Sequence, residues 1–273
     1  MVISDVHLGT YGCRSKELIR YLKSIDPKIL ILNGDFIDIW QFSKRYWPKS
    51  HMRVLKQILN FASKGTKVYY ITGNHDEMLR KFEGLKMGNI QILNKLELDL
   101  DGKKAFFFHG DIFDAIIIYS KWLAKIGAIF YDYLILLNAL INSVTKILRL
   151  KNIPLSKKIK NNVKSAVKFI NHYEKGVIQM GLHKNYDFMV CGHIHQPENR
   201  QYQVYEGKSV QYLNSGDWIE NMTALEYHKK KWSIYYYVKD FALLQNSPDA
   251  EEEVPSIADL DNKELFRKLL AEI

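Results

Sequence analysis

Short apolar runs, each followed by a helix-length segment, set the rhythm of the chain as far as Cys191. The runs are Val2–Ser4, Ile29–Asn33, Val68–Thr72, Ala105–His109 and Phe188–Cys191. Their alternation with longer segments predicts strands and helices arranged around a sheet buried on both faces. Between the third and fourth runs, Ile90–Leu93 and Leu96–Leu100 followed by Asp101-Gly102 read as a hairpin, because an Asp-Gly pair suits a tight turn. Beyond Cys191 the pattern becomes strand alone: Gln201–Tyr205, Val210–Asn214, Thr223–Tyr227 and Trp232–Val238, joined by the turn-like Glu206-Gly207 and His228–Lys230. The expected architecture is α/β, with two sheets packed face to face and helices outside.

Two segments depart from this scheme. Residues 112–182 have helical character and no strand signal over ~70 residues, far longer than an ordinary connection between strands. They are expected to form a helical cap inserted into a core made of residues 1–111 and 183–245. Residues 246–273 begin acidic and Pro-containing and end in a short helix, Glu264–Glu272, so a flexible tail is expected there. A membrane-spanning helix needs roughly 20 mainly apolar residues. The most apolar region, Ile112 to Leu150, carries Asp114, Lys121, Lys125, Asp132, Lys146 and Arg149, and its longest charge-free run, Tyr133 to Thr145, has 13 residues. It is expected to lie on a membrane or to cover an apolar pocket. The chain opens on Met1-Val2-Ile3 with no basic leader, which points to a cytoplasmic product. So few apolar residues before Ser4 also predict that the natural start lies upstream.

Composition narrows the class further. With 273 residues, 47% of them hydrophobic, the chain can bury a large core. Thirty-nine Lys and Arg against thirty Asp and Glu give +9, a balance drawn to polyanions such as nucleic acid, anionic headgroups or phosphorylated substrates. The two cysteines, Cys13 and Cys191, exclude a disulfide framework and a Cys-based zinc site, and fit buried thiols in a reducing compartment.

The chemistry-bearing residues follow the apolar runs: Ser4-Asp5-Val6-His7, Gly34-Asp35-Phe36-Ile37-Asp38, Gly73-Asn74-His75-Asp76, His109-Gly110-Asp111 and Gly192-His193-Ile194-His195. Ligands of open α/β sheets bind beyond the carboxyl ends of the strands, so clusters at these ends should converge. On extended backbone, residues i and i+2 point to the same side, so Asp5 with His7, and His193 with His195, are each expected to offer two ligands to one site. Oxygen and imidazole donors without thiolate favour Mn, Fe or Zn over Ca. A metal pair about 3.5–4 Å apart needs a bridging anion, for which Asp35 is the candidate. Asp38, Asp76 and Asp111 stand beside the site, where a carboxylate orients ligands or caps a helix.

In order and spacing these motifs resemble the calcineurin-like metallophosphoesterases, with their D-x-H, G-D-x-x-D, G-N-H-D/E, lone His-Gly and G-H-x-H patterns, over residues 1–240. The resemblance implies a four-layer α/β/β/α sandwich. It also implies one metal on Asp5, His7, Asp35 and His195 and the other on Asp35, Asn74, His109 and His193, with His75 facing the substrate phosphate and leaving group. Within that family the chain looks most like the UDP-2,3-diacylglucosamine pyrophosphatases of lipid A synthesis. The features are Ser4-Asp5-Val6-His7-Leu8-Gly9, the long insertion after His109-Gly110-Asp111, Gly192-His193-Ile194-His195-Gln196-Pro197 and Leu213-Asn214-Ser215-Gly216-Asp217-Trp218. Such enzymes release UMP and a lipid monophosphate, usually with manganese, and the established ones carry arginine where this chain has His75.

An acylated substrate would explain the apolar insertion, since each buried CH₂ contributes ~0.8 kcal/mol. Ile116, Ile117, Trp122, Phe130, Tyr133, Leu134 and Leu137 are candidate linings, equally suited to packing helix on helix. Lysines at 151, 157, 158, 160, 164 and 168 form a basic stretch that suits a sugar phosphate or an anionic bilayer, or simply a solvated face. Trp122, Tyr133, Lys164 and Lys168 are the candidate substrate contacts, and the expected location is the cytoplasmic face of the inner membrane. The alternatives are a metallophosphatase or phosphodiesterase for another phosphorylated lipid or a soluble nucleotide, and a metal-bound scaffold without catalysis. No nucleic-acid partner is expected, because the cap is apolar and lacks the evenly spread Arg and aromatic residues that track a strand.

Overall fold

In the computed structural model the described residues are 1–41, 46–113, 170, 173–203 and 209–238. Contacts divide the chain into Met1–Tyr237 and Val238–Ile273, and of the second unit only Val238 is described. Most of the expected cap, including Ile116, Trp122, Tyr133, Lys164 and Lys168, and the expected tail with its helix Glu264–Glu272, lie outside the described residues.

The first unit contains two sheets. Its strands are β1 (Val2–Ile3), β2 (Ile29–Asn33), β3 (Lys67–Ile71), β4 (Lys86–Met87), β5 (Ile90–Leu93), β6 (Lys95–Leu100), β7 (Lys103–Phe108), β8 (Phe188–Cys191), β9 (Glu198–Gln203), β10 (Ser209–Asn214), β11 (Thr223–His228) and β12 (Lys231–Tyr236). One sheet runs β12-β11-β1-β2-β3-β5-β4 and the other β6-β7-β8-β10-β9. The centre of the first, β1-β2-β3-β5, is parallel, as are β7-β8 and β8-β10 in the second.

Alternation along the strands builds the layers. Val2, Ile31, Ile71, Leu225 and Trp232 from the first sheet meet Ala105, Phe107, Phe188, Val190 and Leu213 from the second in a common core. The opposite residues of the second sheet, Phe106, Phe108, Met189, Cys191, Val210 and Tyr212, pack under Tyr173, Val177 and Ile178. Those three belong to a helix over residues 173–184, within the return of the expected insertion. Helices α1 (Ser15–Lys23) and α2 (Lys49–Ser63) pack on one another, and α2 packs on β3. They bury Leu18, Tyr21 and Leu22, and Val54, Ile58 and Phe61, respectively. The order helix, sheet, sheet, helix is the four-layer α/β/β/α sandwich.

Two readings need correction. Ile90–Leu93 and Leu96–Leu100 do not pair with each other: β5 closes on β3 and β4 in the first sheet, and β6 pairs antiparallel with β7 in the second. Asp101-Gly102 is the turn of that β6–β7 hairpin, with φ of 57° and 84°, the left-handed pair that a two-residue hairpin turn requires. The strand expected at Gln201–Tyr205 starts earlier, at Glu198, because its pairing with β10 is a backbone matter at a sheet edge where polar side chains face water. Tyr205 and Glu206-Gly207 lie outside the described residues.

Because Phe107 is 1% exposed at the centre of the shared core, Phe107→Ala is expected to cost about 3–5 kcal/mol. Urea unfolding of the two proteins, compared at equal m-value, measures it.

Candidate metal centre

Parallel pairing sets the carboxyl ends of β1, β2 and β3 side by side, and those of β7, β8 and β10 likewise. The loops that leave them are laced together by main chain. Asp5 N donates to Gly34 O (3.1 Å), Val6 N and His7 N to Asp35 O (3.0 and 2.9 Å), and Leu8 N to Phe36 O (2.9 Å). Gly192 N donates to His109 O at 2.9 Å, His193 N to an Asp5 carboxylate oxygen at 3.0 Å, and His75 N to Asp35 Oδ1 at 2.8 Å.

The expectation that Asp5/His7 and His193/His195 pair on extended backbone is not met. Asp5, His7, Asp35, His193 and His195 all adopt left-handed φ, between 51° and 68°. Such backbone persists only where surrounding bonds over-determine it, and it clusters at functional sites. The side chains still converge, turned inward by the neighbouring loop's carbonyls. Two glycines leave them room. A Cβ on Gly34, whose φ is 86°, would collide with the His109 imidazole, and one on Gly192 would collide with the Asp5 carboxylate.

Three groups of side chains bring potential ligand atoms within 4.8 Å of one another: Asp5, His7 and His195; His7, Asp35 and His75; and Asp35, His109 and His193. Asp35 Oδ2 lies 3.2 Å from His109 Nε2 and 3.9 Å from His7 Nε2, so one carboxylate faces both ends of the cluster. His195 Nε2 is 3.2 Å from Asp5 Oδ1, and Asn74 Oδ1 is 3.1 Å from His109 Nε2. His109 Nδ1 is satisfied by Asn33 O at 3.0 Å, which turns Nε2 toward the cluster.

Charges are concentrated here, and Asp5, His7, Asp35 and His109 have little access to water. Burial pushes the Asp5 and Asp35 carboxyls up, but the imidazoles outweigh it: His195 brings Asp5 down to about 2, and His109 holds Asp35 well below the ordinary carboxylate range. Burial likewise pulls His195 and His109 down, and Asp5 and Asp35 reverse it, lifting His195 to about 9 and His109 well above its usual value. The donors therefore fit divalent cations in chemistry: carboxylate, imidazole and amide oxygen. Buried His7 Nε2 also has no hydrogen-bond partner, as expected of an atom shaped to meet an ion. A cation entering the cluster must displace the imidazole protons, which couples its affinity to pH.

The flanking carboxylates have distinct jobs. Asp38 Oδ2 lies 3.1 Å from His7 Nδ1 and 2.8 Å from His75 Nδ1, so it orients two rings at once. Asp76 accepts from Phe36 N (3.1 Å), Tyr70 OH (2.6 Å) and Gly73 N (2.5 Å), tying together the loops that carry Asp35 and Asn74. Asp111 pairs with Arg80, whose guanidinium also reaches Gly73 O. Two residues absent from the sequence reading also contribute. His51 on α2 is 1% exposed and accepts Gly9 N at Nδ1 (3.1 Å), and the Tyr173 hydroxyl fills the space beside Gly110 and reaches Gly192 O. Neither carries a motif: His51 reads as an ordinary helical residue and Tyr173 as part of the insertion.

Residues 1–197 match the family described as calcineurin-like phosphoesterase. Among curated relatives, the UDP-2,3-diacylglucosamine hydrolase of Aliivibrio fischeri (strain MJ11) is 24% identical over 86% of this chain and 97% of its own length. Those of Blochmanniella pennsylvanica (strain BPEN) and Marinobacter nauticus are 24% and 25% identical over 86% and 85% of this chain, and 94% of each relative. A solved archaeal phosphodiesterase is similar over 86% of this chain and 97% of its own at 14% identity, with a TM-score of 0.37.

Two outcomes are expected. Asp38→Ala, which strips a partner from both His7 and His75, should weaken divalent-metal affinity about 10–100-fold in equilibrium dialysis. His51, neutral in the fold with its pKa pushed down by burial to about 4, binds a proton in the unfolded chain from about pH 6.5. Its contribution is therefore present above pH 6.5 and lost as pH falls toward 4, by about 3 kcal/mol. Denaturant melts across that window should show the fall, and His51→Gln should flatten it.

Proposed function

The chain belongs to the calcineurin-like phosphoesterase family, and from that membership we propose that it hydrolyses the pyrophosphate bond of UDP-2,3-diacylglucosamine or a similar nucleotide-linked lipid. The products would be UMP and a lipid sugar phosphate. The observation that carries the substrate class is the span of the curated relatives: this chain covers 97% of the Aliivibrio fischeri hydrolase, so the likeness extends past the shared metal motifs.

In this reading Asp5, His7, Asp35 and His195 hold one divalent ion, and Asp35, Asn74, His109 and His193 the other, with manganese the preferred metal. Bound cations lower the pKa of water and neutralise charge on a phosphoryl group. The chain's own residues do the rest. Asp35 joins the two ligand sets through one carboxylate. Asp38 holds Nδ1 of His75, which leaves Nε2 as the atom offered to the leaving oxygen. Burial works against a proton on His75, but the Asp38 hydrogen bond and the charge of Asp35 raise its pKa, so it is suited to donate that proton near neutral pH. Trp40 lies against the His75 ring, centroids 4.4 Å apart, and limits its swing.

No helix among the described residues is long and apolar enough to cross a membrane. Attachment to the inner-membrane surface, with acyl-chain contacts at Trp122 and Tyr133 and phosphate contacts at Lys164 and Lys168, belongs to the same proposal. A second reading is favoured by His75 itself. A titrating imidazole, where arginine is a fixed cation, also suits a phosphomonoester or diester of another lipid or nucleotide.

The test is manganese-supplemented turnover of UDP-2,3-diacylglucosamine in detergent beside bis-p-nitrophenyl phosphate. UMP release from the lipid, falling ~10²–10⁴-fold in His75→Ala with metal content unchanged, is the expected result. Cleavage of the diester alone would remove the lipid assignment and keep the chemistry.

A further inference from the structure

β10 runs parallel to β8 and ends at Asn214, so the loop that follows emerges at the same end of the sheet as Gly192–His195. This loop contains a carboxylate with no access to water, Asp217. Its Oδ1 accepts the main-chain N–H groups of Ile219 (2.7 Å), Glu220 (2.6 Å) and Asn221 (3.2 Å). Its Oδ2 accepts from the Asn221 side chain, Nδ2, at 2.5 Å. The same Nδ2 donates to the main-chain oxygen of His195 at 2.8 Å. A primary amide has two hydrogens, and here one is spent on Asp217 and the other on His195. Within the same segment Trp218 N donates to the main-chain oxygen of Asp5 at 3.1 Å.

Those two carbonyls belong to residues whose side chains face each other, His195 Nε2 at 3.2 Å from Asp5 Oδ1. Both residues sit in left-handed backbone, φ 51° for Asp5 and 53° for His195. A peptide plane held at its oxygen resists rotation, which restrains the direction in which the adjoining side chain leaves the backbone. Asp5, His195 and His7 form one ligand group, whereas Asp35, His109 and His193 form another.

We propose that Asp217 and Asn221 are positioning residues that set the metal affinity of the Asp5–His7–His195 position separately from that of the Asp35–His109–His193 position. The inference rests on the reading of these side chains as metal ligands. It adds a device through which one position can be loosened while the other keeps its ion.

The experiment uses the full chain, stripped with chelator and titrated with Mn²⁺ alone by equilibrium dialysis, with melting followed by circular dichroism before metal is added. The wild type should show two dissociation constants. His195→Ala and His109→Ala assign them, since each should abolish a different one. In Asn221→Leu, similar in size but without a donor, the constant assigned to His195 should rise about 10–100-fold and the other should stay in place. Asn221→Gln, which keeps an amide donor, should recover part of the loss. Should the leucine variant melt early, Asn221→Ser, which sets no apolar branch against the Asp217 carboxylate and retains a donor too short to span the same gap, takes its place with the same expectation. Both constants rising together, or neither moving in a variant that melts like wild type, would overturn the proposal. A wild type that binds two ions yet leaves UDP-2,3-diacylglucosamine intact would sink the substrate assignment and leave this inference standing.

Discussion

Asp35 sits 2% exposed where β2 ends, with imidazoles on two sides and the amide of His75 on a third. A carboxylate withdrawn from water to that degree is tolerated only when positive charge and hydrogen-bond donors surround it. Those partners come from strands that are distant in sequence and lie in different sheets: His7 follows β1, His75 follows β3 and His109 follows β7. The need to satisfy one buried anion therefore fixes how the two sheets are set against each other at their carboxyl ends. It also explains why so many left-handed residues gather in one place, since each loop bends to aim a group inward and is held by its neighbour's main chain.

The same interdependence separates what was legible in the sequence from what was not. Ile29–Asn33 and Phe188–Cys191 appear as strands with the bounds their apolar runs announce, because a strand covered on both faces is apolar almost throughout. Gln201–Gln203 falls within a strand its pattern announced, whereas Glu198–Arg200 join it by pairing alone. The residue types of the cluster, and the strand ends that bring them together, could be read from local pattern. The backbone that aims Asp5 and His7 could not, because it depends on the carbonyls of Gly34, Asp35 and Phe36, which no local pattern around residue 5 contains.

Asp217 and Asn221 divide along the same line. Asn214-Ser215-Gly216-Asp217 follows an apolar run in the way the five other polar clusters do, so its place at a strand end was visible. Asn221 stands between Glu220 and Met222 like any surface amide, and its reach to His195 appears only when β8 and β10 lie side by side.

Order of synthesis gives the strand arrangement a further meaning. β1 is two residues long and is wedged between β2 and β11, so the strand that launches Asp5 gains its second neighbour only when residues near Leu225 arrive. Asp5 and His193, whose main chain it receives, are 188 residues apart. A ribosome delivers the first ligand early and the residues that lock it late. Until residues 193 and 195 have been made, the emerging chain holds only part of the donor set, so the whole cluster can form only late in synthesis.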